Sequence, residues 1–365
     1  RFTDGMSSIS PINKTDNFEE DNYEKINLYL KLDYAFSKQL SLSTYYNLDR
    51  YSSDYDESFG FTDADYNARN KVIRVGISSD YKYQNGSLNL NAAYNKTNRS
   101  YDSSYPTKYD AKTWNFDLFN TYMLGSKLYS TIGIKYSNSE MESFYIPFGF
   151  SDFQNNINND LANDTNFDPY FNIVYASKFG FNFNGGVRLN QHSEYNCHLV
   201  YSLNPSYVFK LSNHFLKLST SYSTAFITPS LYQMFAPNYG NPLLNPQEDA
   251  TLEFGFELSN PNSFELRSTI FKRMQNDFID FVVINPTTFE GYYQNIPEET
   301  SIQGLETEFK YIGFKNVSLD FNYAFIESKS HELYRIPKHK LNFNSRFDVT
   351  NRVNFSLAFQ YNSER

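Results

Sequence analysis

Residues 26–36 read INLYLKLDYAF, which places an apolar side chain at every second position and mostly polar or small side chains between them. The same alternation recurs in LEFGFEL at 252–258, VSLDFNYAF at 317–325 and VNFSLAFQY at 353–361. A period of two is typical of β-strands, whose successive side chains point to opposite faces. The chain is therefore predicted to be all-β, with leucines and phenylalanines such as Leu252 and Phe254 on one face and Glu253 on the other.

The predicted strands are long, and their connections differ at the two ends. Several alternating segments exceed ten residues, whereas soluble strands average about 5–6 residues and a tilted membrane-spanning strand needs about 9–11. Short turns such as Asn85-Gly86 alternate with polar stretches near 52–69, 98–110, 147–165, 229–247 and 284–300. We count about sixteen strands, and this rhythm predicts a transmembrane antiparallel β-barrel. A soluble sandwich or solenoid is the alternative, because soluble sheets also alternate.

Composition excludes several other classes. The 365 residues are 19% aromatic, yet mean hydropathy is −0.59, as expected where apolar and polar residues interleave. The single Cys197 excludes an internal disulfide framework, and no run of 18 apolar residues predicts a membrane helix. The excess of 41 acidic over 32 basic residues argues against nucleic acid as a partner. The five histidines are scattered and no catalytic motif is recognised, so we expect neither an enzyme nor a covalent cofactor.

Two acidic segments are candidates for a metal site. Asp49, Asp54 and Asp56 fall in one predicted extracellular excursion, and Asp102 falls in the next. Calcium takes about 6–8 oxygen ligands, so a cage built from two adjacent loops is chemically reasonable. The alternative is that these aspartates only form turns and solubilise the loops.

One aromatic segment is a candidate for substrate contact. Residues 231–240 read LYQMFAPNYG, and the predicted contacts are Tyr232, Phe235, Asn238 and Tyr239. Aromatic rings of this kind can pack on a large planar ligand. The alternative is that the loop stabilises the barrel rim.

Four motifs in order resemble those of TonB-dependent outer-membrane receptors: SYSTAFITPSLYQMF at 221–235, GNPLLNPQE at 240–248, Asn295 followed by IQGLE at 302–306, and RIPKH at 335–339. The pair Gln247-Glu248 departs from the family pattern by one residue. The resemblance implies a bacterial outer-membrane transporter with a plug and a TonB energy-coupling complex as partner. Residues 1–365 are then expected to be a partial barrel domain of a receptor with about 22 strands, without the plug or the closing strands.

Within that family, the acidic early hairpins are most similar to those of vitamin B12 receptors. This similarity implies a corrinoid ligand, and calcium bound by Asp49, Asp54, Asp56 and Asp102. A siderophore or haem receptor is the alternative within the family. A passive porin or a structural barrel is the alternative outside it, and a barrel that holds partner lipoproteins at the cell surface without moving a solute is a third possibility. In each case the barrel wall would contact outer-membrane lipid.

Overall fold

The computed structural model describes residues 2–4, 7, 18–57, 61–288, 290–314, 316–328 and 336–364. Arg335, the first residue of the RIPKH motif, lies outside the described residues. In the described residues the structure contains no helix that could span a membrane.

The part of the chain that the structure describes forms twenty strands and one short helix. The first ten strands are β1 (Phe2–Asp4), β2 (Asn22–Ala35), β3 (Leu40–Glu57), β4 (Thr62–Tyr83), β5 (Gly86–Asp102), β6 (Thr107–Leu124), β7 (Leu128–Tyr145), β8 (Gln154–Ile157), β9 (Asn163–Ala176) and β10 (Phe181–His192). The remaining elements are β11 (Asn196–Leu211), β12 (His214–Ile227), α1 (Leu231–Phe235), β13 (Gln247–Asn260), β14 (Phe264–Asn276), β15 (Phe278–Asn285), β16 (Glu290–Ile296), β17 (Thr300–Phe314), β18 (Val317–Ser328), β19 (His339–Thr350) and β20 (Val353–Asn362).

Eighteen strands form one antiparallel meander in which each long strand pairs with the next long strand along the chain. Sixteen of them have ten residues or more, which confirms the predicted count. The short β8 pairs with the extracellular end of β7, and β7 continues to β9. Strands β15 and β16 form a separate hairpin, so β14 pairs directly with β17.

The sheet, which forms the barrel wall, has its apolar side chains on the exposed outer face, the reverse of a soluble protein. On β13, Leu252, Phe254 and Phe256 are exposed, with Phe254 at 53%, whereas the intervening Glu253 and Glu257 are only partly exposed. The solvent-accessible surface is 23743 Å², against about 15,000 Å² expected for a compact globular chain of this mass. Such an apolar outer face is stable only in lipid, so the prediction of a membrane-spanning β-barrel wall is confirmed.

The opposite face of the wall is polar and lines the lumen. Arg273 on β14 donates from Nε to Asp249 Oδ2 on β13 at 2.9 Å, and Arg267 Nε lies 3.4 Å from Glu257 Oε2. These cross-strand pairs are possible because the alternation turns every second side chain inward.

Three of the predicted long loops are largely strands, and in 284–300 the strand is β16 (Glu290–Ile296). Strand β3 continues to Glu57 and β4, with 22 residues, begins at Thr62, so most of 52–69 is a paired hairpin. Likewise β5 and β6 leave only a short turn between Asp102 and Thr107. About 9–11 residues cross the bilayer. These hairpins therefore rise well above the membrane, where water on both faces removes the apolar alternation.

Candidate ligand site at the extracellular mouth

Helix α1 anchors the loop between β12 and β13. Ser230 caps the helix: its Oγ accepts a hydrogen bond from Gln233 N at 3.2 Å, and Gln233 Oε1 accepts one from Ser230 N at 2.8 Å. This capping box is readable in the sequence as Ser-x-x-Gln. The helix buries Leu231 and Met234 against Ile157 and Ala162 of the loop between β7 and β9. The two loops are therefore packed together above the lumen.

The segment after α1 turns back on the helix. Gly240 N donates to Ala236 O at 2.7 Å, and a Cβ at Gly240 would lie 2.7 Å from Met234 O, so only glycine fits this position. Asn241 N donates to Gln233 O at 2.9 Å. The Gly-Asn of the sequence motif therefore has a structural role, which is to close the loop onto its own helix.

A second anchor comes from the β10–β11 turn. The Tyr195 hydroxyl lies 3.0 Å from Leu244 O and 3.2 Å from Met234 Sδ. One side chain thus holds both the helix and the far end of the loop.

The hairpin β15–β16 is attached to this loop through amide side chains. Asn295 Oδ1 accepts from Asn245 N at 2.8 Å, while its Nδ2 donates to Asn245 O at 3.0 Å and to Asp277 O at 2.8 Å. Asn241 Nδ2 donates to Tyr293 O at 3.0 Å, and Tyr293 N donates to Tyr239 O at 2.9 Å. The loop and the hairpin therefore form one hydrogen-bonded unit, which we call the mouth unit (residues 228–246, 278–288 and 290–296).

A chain of aromatic rings runs through the mouth unit to the barrel wall. Tyr232 lies between Tyr109 of β6 and Tyr293 of β16, with ring centroids 6.0 and 6.4 Å apart, both edge to face. Tyr293 contacts Phe281 at 5.4 Å, and Phe281 contacts Tyr239 at 5.7 Å. Burial, followed by the neighbouring phenols Tyr109 and Tyr293, raises the pKa of Tyr232 to about 12. Tyr232 is therefore a neutral packing group.

The four predicted substrate contacts lie in different environments. Tyr239 is 44% exposed, and the neighbouring Asn238 is exposed with a positive φ of 66°. Phe235 is partly buried against the cluster formed by α1 and the β7–β9 loop. Tyr232 is covered by its two tyrosine neighbours. Asn238 and Tyr239 are thus the two of the four that face solvent, and ligand contact at all four positions remains a prediction.

The four predicted calcium ligands do not form one group. Asp49 lies on the face of β3 that points to the lumen, and its Oδ1 is 3.9 Å from Lys25 Nζ. Asp54 has the opposite parity and accepts from Asn67 Nδ2 at 2.6 Å; Asn67 stands opposite Asp102 on β5. Asp56 is buried and accepts from Ser7 Oγ at 2.6 Å. Within the part of the chain that the structure describes, no cluster of three or more His, Cys, Asp or Glu side chains is arranged for a metal. Calcium binding remains a prediction.

Sequence reasoning missed several residues of the mouth unit. Tyr109, Phe281 and Tyr293 carry no local signal, because they meet Tyr232 and Tyr239 only through the fold. Asn295 was part of a recognised motif, but the motif did not reveal which segments its amide joins.

Known proteins share both sequence and fold with this chain. The TonB dependent receptor-like, beta-barrel family model matches residues 3–365. The vitamin B12 transporter BtuB of Vibrio cholerae serotype O1 is 27% identical over 198 residues, which are 53% of this chain and 31% of that transporter. The chain thus matches about a third of that relative's length.

Solved structures show the same fold at low identity. The siderophore receptor PirA from Acinetobacter baumannii superposes with a TM-score of 0.75 at 14% identity, covering 98% of this chain and 61% of PirA. The copper transporter OprC gives a TM-score of 0.75 at 14% identity, covering 91% of this chain and 58% of OprC. The chain therefore belongs to the TonB-dependent receptor β-barrel family and is a protein of the bacterial outer membrane.

Proposed function

We propose that this barrel is part of an active transporter that takes up a large, scarce nutrient, most favourably a corrinoid. Energy would come from the TonB complex acting through a plug within the same receptor. The observation that carries the proposal is the mouth unit, a preassembled aromatic and amide surface above the lumen. A large flat ligand such as a corrin can pack on the exposed ring of Tyr239, while Asn238 offers hydrogen bonds beside it.

The sequence similarity to a vitamin B12 transporter supports the corrinoid over other nutrients. The solved structures of siderophore and copper proteins are too dissimilar in sequence to favour their ligands. A passive porin is disfavoured because the family model that matches residues 3–365 is that of TonB-dependent receptors. Calcium in the acidic hairpins, and a surface lipoprotein as partner, remain parts of this proposal without a supporting contact.

Equilibrium binding of cyanocobalamin to the intact receptor tests the proposal. We expect saturable binding that weakens when Tyr239→Ala removes the exposed ring. Phe179→Ala is the matched control, because Phe179 is an exposed aromatic in the β9–β10 turn at the opposite end of the barrel. Tight binding of a ferric siderophore or haem, with no cyanocobalamin binding, would overturn the corrinoid assignment and leave the transporter class standing. Free diffusion of small solutes through the receptor in liposomes would contradict active transport.

A further inference from the structure

Four cations gather on the outward face of β3, β4 and β5. Arg50 stands directly opposite Lys71 in the β3–β4 pair. Arg69 is two residues from Lys71 on the same strand face, and Lys96 on β5 stands opposite Ile73, the next outward residue of β4. Directly opposed side chains in antiparallel strands have Cβ atoms about 4.5–5.5 Å apart, and like charges there repel. The arrangement therefore favours a bound anion.

These cations lack carboxylate partners among the described residues. None of the four takes part in an ion pair there, although Arg69 Nε donates to Asn67 Oδ1 at 2.8 Å. Two acids on the same face, Asp54 and Asp110, accept from asparagine amides at 2.6 and 2.5 Å. A third, Glu140, pairs at 2.5 Å with Lys112, the cation opposite Lys96. Glu24 is diagonal to Arg50 on the same face, and no ion pair joins the two side chains among the described residues. A positive patch thus stands on the wall of a chain whose net charge is −9.

The height of the patch identifies what it meets. Strand alternation puts Arg69 and Lys71 on the same face as Ile73, Val75 and Ile77, and Val75 and Ile77 are exposed. The patch begins immediately above this apolar face on the extracellular side, where β3 and β4 leave the bilayer. Basic residues at a membrane boundary attract anionic lipid headgroups.

We propose that Arg50, Arg69, Lys71 and Lys96 bind a phosphate-bearing lipid of the outer leaflet. The phosphate would sit among the four cations, and the acyl chains would lie along Ile73, Val75 and Ile77. Both parts of the ligand are needed, because the patch supplies charge and the adjoining wall supplies apolar contact. No bond is made or broken, so the site would hold the lipid as a bound component of the barrel surface.

Native mass spectrometry of the intact receptor in detergent tests this site, with monophosphoryl lipid A as the probe. We expect lipid adducts on the wild type and an apparent affinity about thirtyfold lower in Arg50→Gln/Lys71→Gln. The matched control is Lys210→Gln/Lys217→Gln. It also removes two cations, but these lie on β11 and β12 and point to the lumen rather than to lipid. Adduct formation should be unchanged in this control.

Two further measurements distinguish binding of a phosphate-bearing lipid from binding of any lipid and from binding of free phosphate. A phosphate-free galactolipid should bind far more weakly, and inorganic phosphate should not compete because it has no acyl chains. Equal retention of monophosphoryl lipid A by the wild type and Arg50→Gln/Lys71→Gln would overturn the proposal. So would equal binding of the galactolipid, or effective competition by phosphate. If the double variant yields no folded barrel, Lys71→Gln alone serves the same comparison.

Discussion

Gly133 on β7 stands directly opposite Tyr170 on β9, and the tyrosine ring lies over the glycine on the lumen face. A Cβ at Gly133 would meet Tyr170 Cζ at 2.5 Å. The ring is further held by its hydroxyl, which donates to Asp117 Oδ1 on β6 at 2.9 Å. Gly304 opposite Phe271 repeats the pairing elsewhere in the wall. In each case an aromatic ring covers the backbone that a glycine leaves bare.

The substitution Gly133→Ala should displace the Tyr170 ring and break its hydrogen bond to Asp117. Overpacking of this kind costs about 1–3 kcal/mol, measurable as a lower urea midpoint for unfolding from liposomes. Gly186→Ala is the control, because the nearest atom there is the end of the flexible Asn172 side chain at 3.0 Å. Equal midpoints for the two variants would contradict the packing account.

The reversed polarity of β13 predicts a face-dependent cost of charge. Phe254→Arg should destabilise the folded barrel by about 2–4 kcal/mol, because the guanidinium would be placed in hydrocarbon. Glu253→Arg should cost much less, because Glu253 itself points to the polar lumen. Refolding into liposomes measures both. Similar costs on the two faces would be incompatible with Phe254 facing lipid.

The strand architecture could be predicted from sequence, and the limits of that prediction are physical. Alternation identified the lipid-facing residues of β2, β13 and β20 because hydrocarbon on one side demands it. It failed for residues 52–69, where Ser52, Asp54 and Asn67 on the outward face are as polar as Ser53 on the inward face, although the backbone there remains paired. The mouth unit was only partly foreseen. Tyr232 was predicted to contact a ligand, but its neighbours Tyr109 and Tyr293 are brought to it by the register of distant strands.

A calcium site in the acidic hairpins makes a separate prediction. If Asp54 and Asp56 bind calcium, Asp54→Ala/Asp56→Ala should lower the affinity, because the number of ligand charges sets it. Isothermal titration of the intact receptor with calcium is the measurement. Asp49→Ala is an informative control, since Asp49 has the lumen parity and should matter less. Absence of calcium binding in the wild type would end the hypothesis.

Asn295 should hold the mouth unit together. Asn295→Asp keeps the acceptor for Asn245 N but removes the donors to Asn245 O and Asp277 O, at a cost of about 1–3 kcal/mol for unsatisfied groups. Hydrogen exchange should rise in 236–246, 278–288 and 290–296. Asn285→Asp is the matched control, because Asn285 Oδ1 only accepts, from Thr287 N at 3.1 Å. Unchanged hydrogen exchange in Asn295→Asp would show that the aromatic contacts alone hold the mouth unit together.

His192, at the extracellular end of β10, should make the adjacent turn sensitive to pH. Burial lowers its pKa below 6.5, although Asp164, Glu194 and Asp168 partly oppose this. Its Nδ1 accepts from Glu194 N at 3.0 Å, a bond that protonation would remove. The pKa of His192 is higher in the unfolded turn than in the folded one, so the unfolded turn takes up a proton at higher pH. The stability that neutral His192 contributes is therefore complete above about pH 6.5, and it is lost as the pH falls towards the folded pKa.

Hydrogen exchange at about pH 7.5 and 5.5, corrected for intrinsic rates, measures this effect. Exchange at 193–195 and in the loop held by Tyr195 should increase at the lower pH. The change should vanish in His192→Gln and persist in His214→Gln. A pH response that survives His192→Gln would assign it to another group.

The tall paired hairpins have a consequence for attack by proteases at the cell surface. A protease needs a locally unpaired, extended segment. The backbone at the tyrosines of β3 and β4 above the bilayer is instead paired strand to strand in the sheet. The turn at 147–150 is different: Phe150 N donates to Pro147 O at 3.0 Å, Gly149 has a φ of 84°, and Phe148 and Phe150 are exposed. An aromatic-specific protease added to intact cells should therefore cleave after exposed turn aromatics such as Phe148, Phe150 and Tyr105, while Tyr55 and Tyr66 in the paired part of the β3–β4 hairpin resist.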